Sequence, residues 1–176
     1  MSLVAIFMYG VVSAQSLTPI TWTAFGLTFE VPKGILVEED TEDTFLLTDS
    51  RFYITVQSLD SEDMSQADMD GLLKGLADDD GVENPSKVEA FDLPQFHGVS
   101  LKGMAEGDAC SYACLMTKDA GSVYSISIIH DRTDDAVVEK ILKSFKMEEE
   151  MEELKSGCAF STSTFLLVFS ISILFL

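Results

Sequence analysis

Residues Gly98–His130 read GVSLKGMAEGDACSYACLMTKDAGSVYSISIIH, and this stretch decides the fold. Three apolar runs, Gly98–Glu106, Ala109–Thr117 and Ser122–His130, are separated by the turn residues Gly107-Asp108 and Asp119-Ala120-Gly121. Runs of this length bounded by short Gly-containing loops are consecutive antiparallel strands. A two-residue loop at Gly107-Asp108 pairs Ala105 with Cys110, Gly103 with Tyr112, Leu101 with Cys114 and Val99 with Met116. A three-residue loop at Asp119-Ala120-Gly121, with Gly121 at positive φ, pairs Met116 with Tyr124, Cys114 with Ile126, Tyr112 with Ile128 and Cys110 with His130. Both hairpins then place their apolar side chains on one face, so turn chemistry and pattern agree.

Working outward, Val88–Leu93 is a further strand that ends at Pro94. Upstream, Trp22–Phe25, Leu27–Val31, Ile35–Glu38, Thr44–Thr48 and Phe52–Leu59 are strand-like, with Gln15–Thr21 as a lead-in. Leu27, Phe29 and Val31 alternate with Thr28 and Glu30, the period of a strand with one wet face. A helix is expected over about Gln66–Ala77, with Ser65 as N-cap, Asp68 three residues on, and Met69, Leu72, Leu73 and Leu76 as its apolar stripe. Asp78-Asp79-Asp80-Gly81 ends it as a solvated acidic turn with Gly81 in the left-handed position. A second helix is capped by Thr133 or Asp134 and turns Val137, Val138, Ile141, Leu142 and Phe145 to the core. Lys140, Lys143 and Lys146 lie towards its C-terminus, where the helix dipole favours cations. The expected class is α+β: an antiparallel sheet with two helices packed on it.

The chain has 176 residues, 47% of them apolar, which allows one domain with a real core. Its net charge is −19, so a basic surface for DNA or RNA, or for anionic lipid, is excluded. Residues 1–14 and 158–176 carry no charged side chain, so the acidity belongs to the middle. Residues 1–14 end in Val12-Ser13-Ala14, small residues before a cleavage point, and resemble a secretory signal peptide that lacks a basic n-region. Residues 15–147 form the domain, and 148–157 an acidic stalk with five Glu in Glu148–Glu153. Residues 158–176 are an apolar tail. As a helix the tail would be about 28 Å long, near the thickness of a hydrocarbon core. Ser156-Gly157-Cys158 followed by a polar spacer and Phe165–Leu176 also fits a processed anchor signal, and composition leaves the two open. The expected location is therefore outside the cytoplasm: periplasmic, secreted or at the cell surface.

Cys110 and Cys114 are four residues apart on one strand, about 13 Å in extended chain, too far for a disulfide. The register above sets His130 beside Cys110, and a Cys–His pair is the minimum for an activated thiolate. No third orienting group accompanies it. Asp60-Ser61-Glu62-Asp63 and Asp78–Gly81 are acidic but lack the spacing of a calcium loop. Gly26, Gly34 and Gly81 belong to no phosphate-binding fingerprint. The sequence therefore names no catalytic, cofactor-binding or metal-binding residue, and no cofactor.

The segment Trp22-Thr-Ala-Phe-Gly-Leu-Thr-Phe-Glu-Val-Pro-Lys-Gly34 and the closing helix Val138-Glu-Lys-Ile-Leu-Lys-Ser-Phe-Lys146 resemble the PsbP-like fold family, with the resemblance spanning about residues 20–147. That resemblance implies an α/β/α sandwich and a mostly non-catalytic binding or accessory role with a protein partner. The first expectation for function is thus an exported, non-catalytic binding or accessory domain with no nucleic-acid partner, tethered to a membrane if the tail is retained. The alternatives are a small exported hydrolase or thiol enzyme using Cys110 and His130, and an acidic cation-binding protein.

Overall fold

The structure is a computed structural model and describes residues 15–60 and 64–148. The signal-peptide reading of 1–14, the stalk beyond Glu148 and the tail 158–176 fall outside the described residues. No helix among the described residues is long and apolar enough to cross a membrane.

The strands are β1 Leu17–Trp22, β2 Leu27–Pro32, β3 Leu36–Asp40, β4 Thr44–Thr48, β5 Phe52–Leu59, β6 Glu89–Asp92, β7 Phe96–Ala105, β8 Asp108–Thr117, β9 Val123–His130 and β10 Lys146–Met147. The helices are α1 Met69–Asp79, after a 3-10 turn at Gln66–Asp68, and α2 Asp135–Lys143, after a 3-10 turn at Arg132–Asp134. Seven strands form one antiparallel sheet in the order β3-β4-β5-β9-β8-β7-β6, and three form a second in the order β1-β2-β10. The expected α+β class stands. The small second sheet is an addition to it, because β10 is too short to announce itself in sequence.

The large sheet separates two cores. On one face α1 lays Met69, Leu73 and Ala77 against Val99, Leu101, Cys110, Tyr112, Cys114 and Met116. On the other, α2 and the small sheet cover Phe45, Ile54, Val56, Leu115, Tyr124 and Ile126. Phe29 of β2 stacks on Phe145, just after α2, with ring centroids 4.3 Å apart. Burial of such aromatic and aliphatic side chains stabilises by about 1.5–3 kcal/mol each, and it drives the layering.

Several boundaries moved. The lead-in is itself a strand: β1 pairs with β2 from Leu17 to Trp22, and Thr23–Gly26 is the turn, with Gly26 at φ +61. Pro19 is tolerated there because β1 is an edge strand. Helix α1 runs through Asp79, and Gly81 at φ +68 closes it, with Gly81 N donating to Asp78 O at 3.1 Å. Its start is held as expected by Ser65, whose N–H donates to the Asp68 carboxylate at 3.0 Å. Asp134 stands at the N-cap position of α2, as expected, without a side-chain capping bond, and the 3-10 turn before it is capped by Asp131, which accepts from Thr133 N at 3.0 Å.

The β7–β8 loop is Glu106-Gly107, both at positive φ (+51 and +98), in place of Gly107-Asp108. A two-residue loop of this kind needs left-handed conformations at both positions and favours Gly at the second. The pairs become Ala105 with Asp108, Gly103 with Cys110, Leu101 with Tyr112 and Val99 with Cys114. A two-residue shift preserves faces. The β8–β9 loop has four residues, Lys118–Gly121, and Ala120, not Gly121, takes positive φ (+56). Thr117 and Asp119 hold it: Thr117 Oγ1 donates to Asp119 Oδ1 (2.6 Å) and accepts from Ser122 N (3.0 Å). The pairing slips by one residue relative to the three-residue loop, so β9 is turned over.

Arg51, at the β4–β5 turn, donates through Nε and Nη2 to both carboxylate oxygens of Asp134, tying the large sheet to the start of α2. The Asp134 side chain is 3% exposed, whereas Arg51 is 46% exposed. Removing one partner of a buried pair leaves an uncompensated charge. Arg51→Met should therefore lower stability by about 3 kcal/mol, and Arg51→Met/Asp134→Leu should recover most of that loss. Urea unfolding midpoints of the three proteins check this. A single variant as stable as the parent would contradict it.

Candidate functional site

Helix α2 lies in a furrow with a cleft on each side. The cleft towards the small sheet has a volume of about 510 Å³ and is lined by Pro19, Thr28, Phe29 and Glu30 opposite Lys140, Lys143, Ser144 and Lys146. The cleft towards the β6–β7 edge has a volume of about 280 Å³, with Phe91, Lys102, Ser111 and Glu139 among its walls. Lys143 borders both. Ser144 fastens the helix end to β2: its Oγ accepts from Glu30 N at 2.7 Å and donates to Ile141 O at 2.6 Å.

Charge is unevenly used along this helix. Lys102 Nζ is 3.2 Å from Glu139 Oε1 and 4.0 Å from Asp135 Oδ2. Lys140, Lys143 and Lys146 are exposed, and no carboxylate of the described residues comes within 4.0 Å of their ammonium groups. Lys33, Lys74, Lys87 and Lys118 likewise have no ion pair among the described residues, so what sets these three apart is that they line one cleft.

The Cys110–His130 pair does not form. Cys110 lies opposite Ile129 and faces α1, whereas His130 lies opposite Ala109 and faces the α2 side. The one-residue slip of β9 puts Ala109 in the place expected for Cys110 and brings Ser111, opposite Ile128, diagonally within reach of His130. His130 is 3% exposed, and its Nδ1 is 2.8 Å from the Asp131 carbonyl oxygen, which requires a proton on Nδ1. In the neutral ring Nε2 is then an acceptor for the Ser111 hydroxyl at 3.3 Å. Asp135 Oδ1 is 3.8 Å from Nδ1. This is the tautomer a general base needs, but Ser111 is only 1% exposed. Its signal in sequence was a polar residue in an apolar run, readable only with the register in hand.

Cys110 and Cys114 are free and buried, as their spacing predicts. Burial pushes the Cys114 thiol up to about 12 and raises that of Cys110. Burial likewise raises the Tyr112 phenol to about 12, and its Oη donates to Asp80 Oδ2 at 2.8 Å. That bond ties the acidic turn after α1 to β8. His97, at the start of β7, is 2.8 Å through Nδ1 from Asp92 on β6. Among the described residues no three His, Cys, Asp or Glu side chains cluster to hold a metal ion.

The profile of the dihydro-orotase-like family matches residues 4–134. The chain belongs to that family. The match ends before α2, so the family's description covers Ser111 and His130 but not Lys140, Lys143 or Lys146. No curated protein sequence matches the chain. Solved structures establish the fold as PsbP-like. The Ran-binding protein Mog1p of Saccharomyces cerevisiae matches with a TM-score of 0.56 and 12% identity, over 76% of this chain and 96% of that one. A mutant of Mog1 matches with a TM-score of 0.57 and 11% identity, over 77% and 97%. The PsbP protein of the cyanobacterium Synechocystis sp. PCC 6803 matches with a TM-score of 0.54 and 15% identity, over 78% and 96%.

Thiols raised this far are almost wholly protonated at neutral pH, and the thiolate is the nucleophile. In the native chain Cys114 should react with iodoacetamide at pH 8 at least about a hundredfold more slowly than in denaturant, and Cys110 should also be slowed. Peptide-level mass spectrometry reads each cysteine separately. Fast native labelling of Cys110 would restore an activated thiol.

Proposed function

We propose that the protein is an exported, non-catalytic binding or accessory domain that engages a protein partner along the α2 face. The observation that carries this reading is the set of three unpaired lysines around the cleft between α2 and β2. Cations left unpaired on an acidic chain are not there for net solubility. Their place beside a cleft of about 510 Å³ is that of a recognition surface. The name of Mog1p, a Ran-binding protein with this fold, supports a protein as the partner. Export is supported by the apolar run ending Val12-Ser13-Ala14, and the uncharged tail 158–176 supports a tether as membrane helix or processed anchor.

A hydrolytic reading has one geometric observation in its favour, the buried Ser111–His130 pair, and it fits the enzymatic description of the family. It ranks second because Ser111 is only 1% exposed, which keeps its Oγ from a substrate carbon.

The test uses the full chain in its native host, with a photocrosslinking residue at position 143 or, as control, at Lys74 on the exposed side of α1. The proposal expects one discrete protein adduct from position 143, none from position 74, and a chain whose mature form begins at Gln15 by intact mass. Equal adducts from both positions, or none from 143, would overturn the contact face. A cytoplasmic chain that keeps Met1 would overturn export.

A further inference from the structure

Resting on the reading of α2 as a contact face, we infer that the cleft between α2 and β2 receives a carboxylate-rich segment of the protein partner. Lys140 and Lys143 are three apart on α2 and so share a face. Lys146 starts β10 and pairs with Thr28 of β2, so it completes the rim from a different element. The helix dipole accounts for cations in the last turn of α2, but not for a third beyond the helix across the same cleft. The carbonyl oxygens at a helix C-terminus repel anions, and here one is covered: Ile141 O accepts from both Ser144 N (3.0 Å) and Ser144 Oγ (2.6 Å). Pro19, exposed on β1, lines the cleft opposite the lysines and offers apolar contact to the stems of the incoming side chains, while Phe29 is wholly buried in the core.

The net charge of −19 opposes any polyanion at long range, but range decides the outcome. At physiological ionic strength exposed charges are screened beyond about 8 Å, so the three lysines act on a docked segment while distant carboxylates do not. Among the described residues Glu30 is the one carboxylate lining the cleft, with Glu148 held at its edge by Thr21 and Thr28, and Glu30 sets a sign that can be tested. With Glu30 neutralised, an acidic segment should bind more tightly, whereas a basic or neutral ligand should not.

The probe is a fluorescein-labelled decaglutamate peptide, titrated with the full chain at about 50 mM salt and followed by anisotropy. Saturable binding is expected, falling steeply with added salt. Lys140→Glu and Lys143→Glu should each weaken it by about fivefold or more, Lys143→Gln by less, and Glu30→Gln should strengthen it. Lys74→Glu should leave it unchanged. No saturable binding, an equal loss with Lys74→Glu, or displacement by inorganic phosphate at matched ionic strength would overturn the inference. So would binding that emerges only when Glu149, Glu150, Glu152 and Glu153 are changed to Gln, since the chain's own acidic run would then be the occupant. A photocrosslinked adduct at position 143 without peptide binding removes the acidic partner and keeps the contact face. Loss of both removes both.

Discussion

Strand β8 is buried on both faces from Ala109 to Met116, and everything that surrounds it depends on which face each residue takes. Cys110, Tyr112, Cys114 and Met116 are committed to the core under α1, and Ala113 and Leu115 to the core under α2. A strand in this position cannot slip by one residue without exchanging two complete sets of core side chains. Its register is locked at both ends, by Glu106-Gly107 on one side and by the Thr117–Asp119–Ser122 hydrogen bonds on the other. The same constraint carries His130 and Ser111 to the α2 side and keeps both cysteines away from it.

Much of this architecture was legible in the chain. The strands Thr44–Thr48 and Phe52–Leu59 have the expected ends, and the apolar stripe of the second helix is the buried one. The α+β class followed from the meander and from the PsbP-like resemblance, and the solved structures share that fold. What was not legible was the β9 register, for a physical reason. Hydrophobic patterning specifies register only when one face of a strand is wet, and β8 has no wet face. Ala109, Ser111 and Ala113 are small enough that either face of β8 reads as apolar. The loop then had to decide alone, and the side-chain bonds of Thr117 and Asp119 favour four residues over three. The consequence was chemical: the neighbour of His130 is a serine and not a cysteine.

The α2 face shows how a weakly basic feature can matter in an acidic molecule. Arg51 and Asp134 anchor the start of the helix, Ser144 ties its end to β2, and Phe145 stacks on Phe29. The helix is thus held at both ends by contacts that leave its outer side free to carry lysines. Lys102 is neutralised locally by Glu139 and Asp135, whereas Lys140, Lys143 and Lys146 line the cleft towards the small sheet with no carboxylate of the described residues within 4.0 Å. Elsewhere the exposed edge is guarded against pairing with another chain. The solvent-facing β3 carries Glu38, Glu39 and Asp40 and a bulge between Val37 and Glu39, features that discourage edge-to-edge association.

The central claim is that β8 divides the molecule so that Ser111 and His130 lie beneath α2 while Cys110 faces α1. Solution NMR tests it most directly through the ring protons of His130. The structure predicts cross-peaks from the His130 ring to the Phe52 ring, 6.5 Å away between centroids, and to the Ser111 β-protons, with Cys110 β-protons contacting Ile129. Cross-peaks from the His130 ring to the Cys110 β-protons, with none to Ser111, would contradict it.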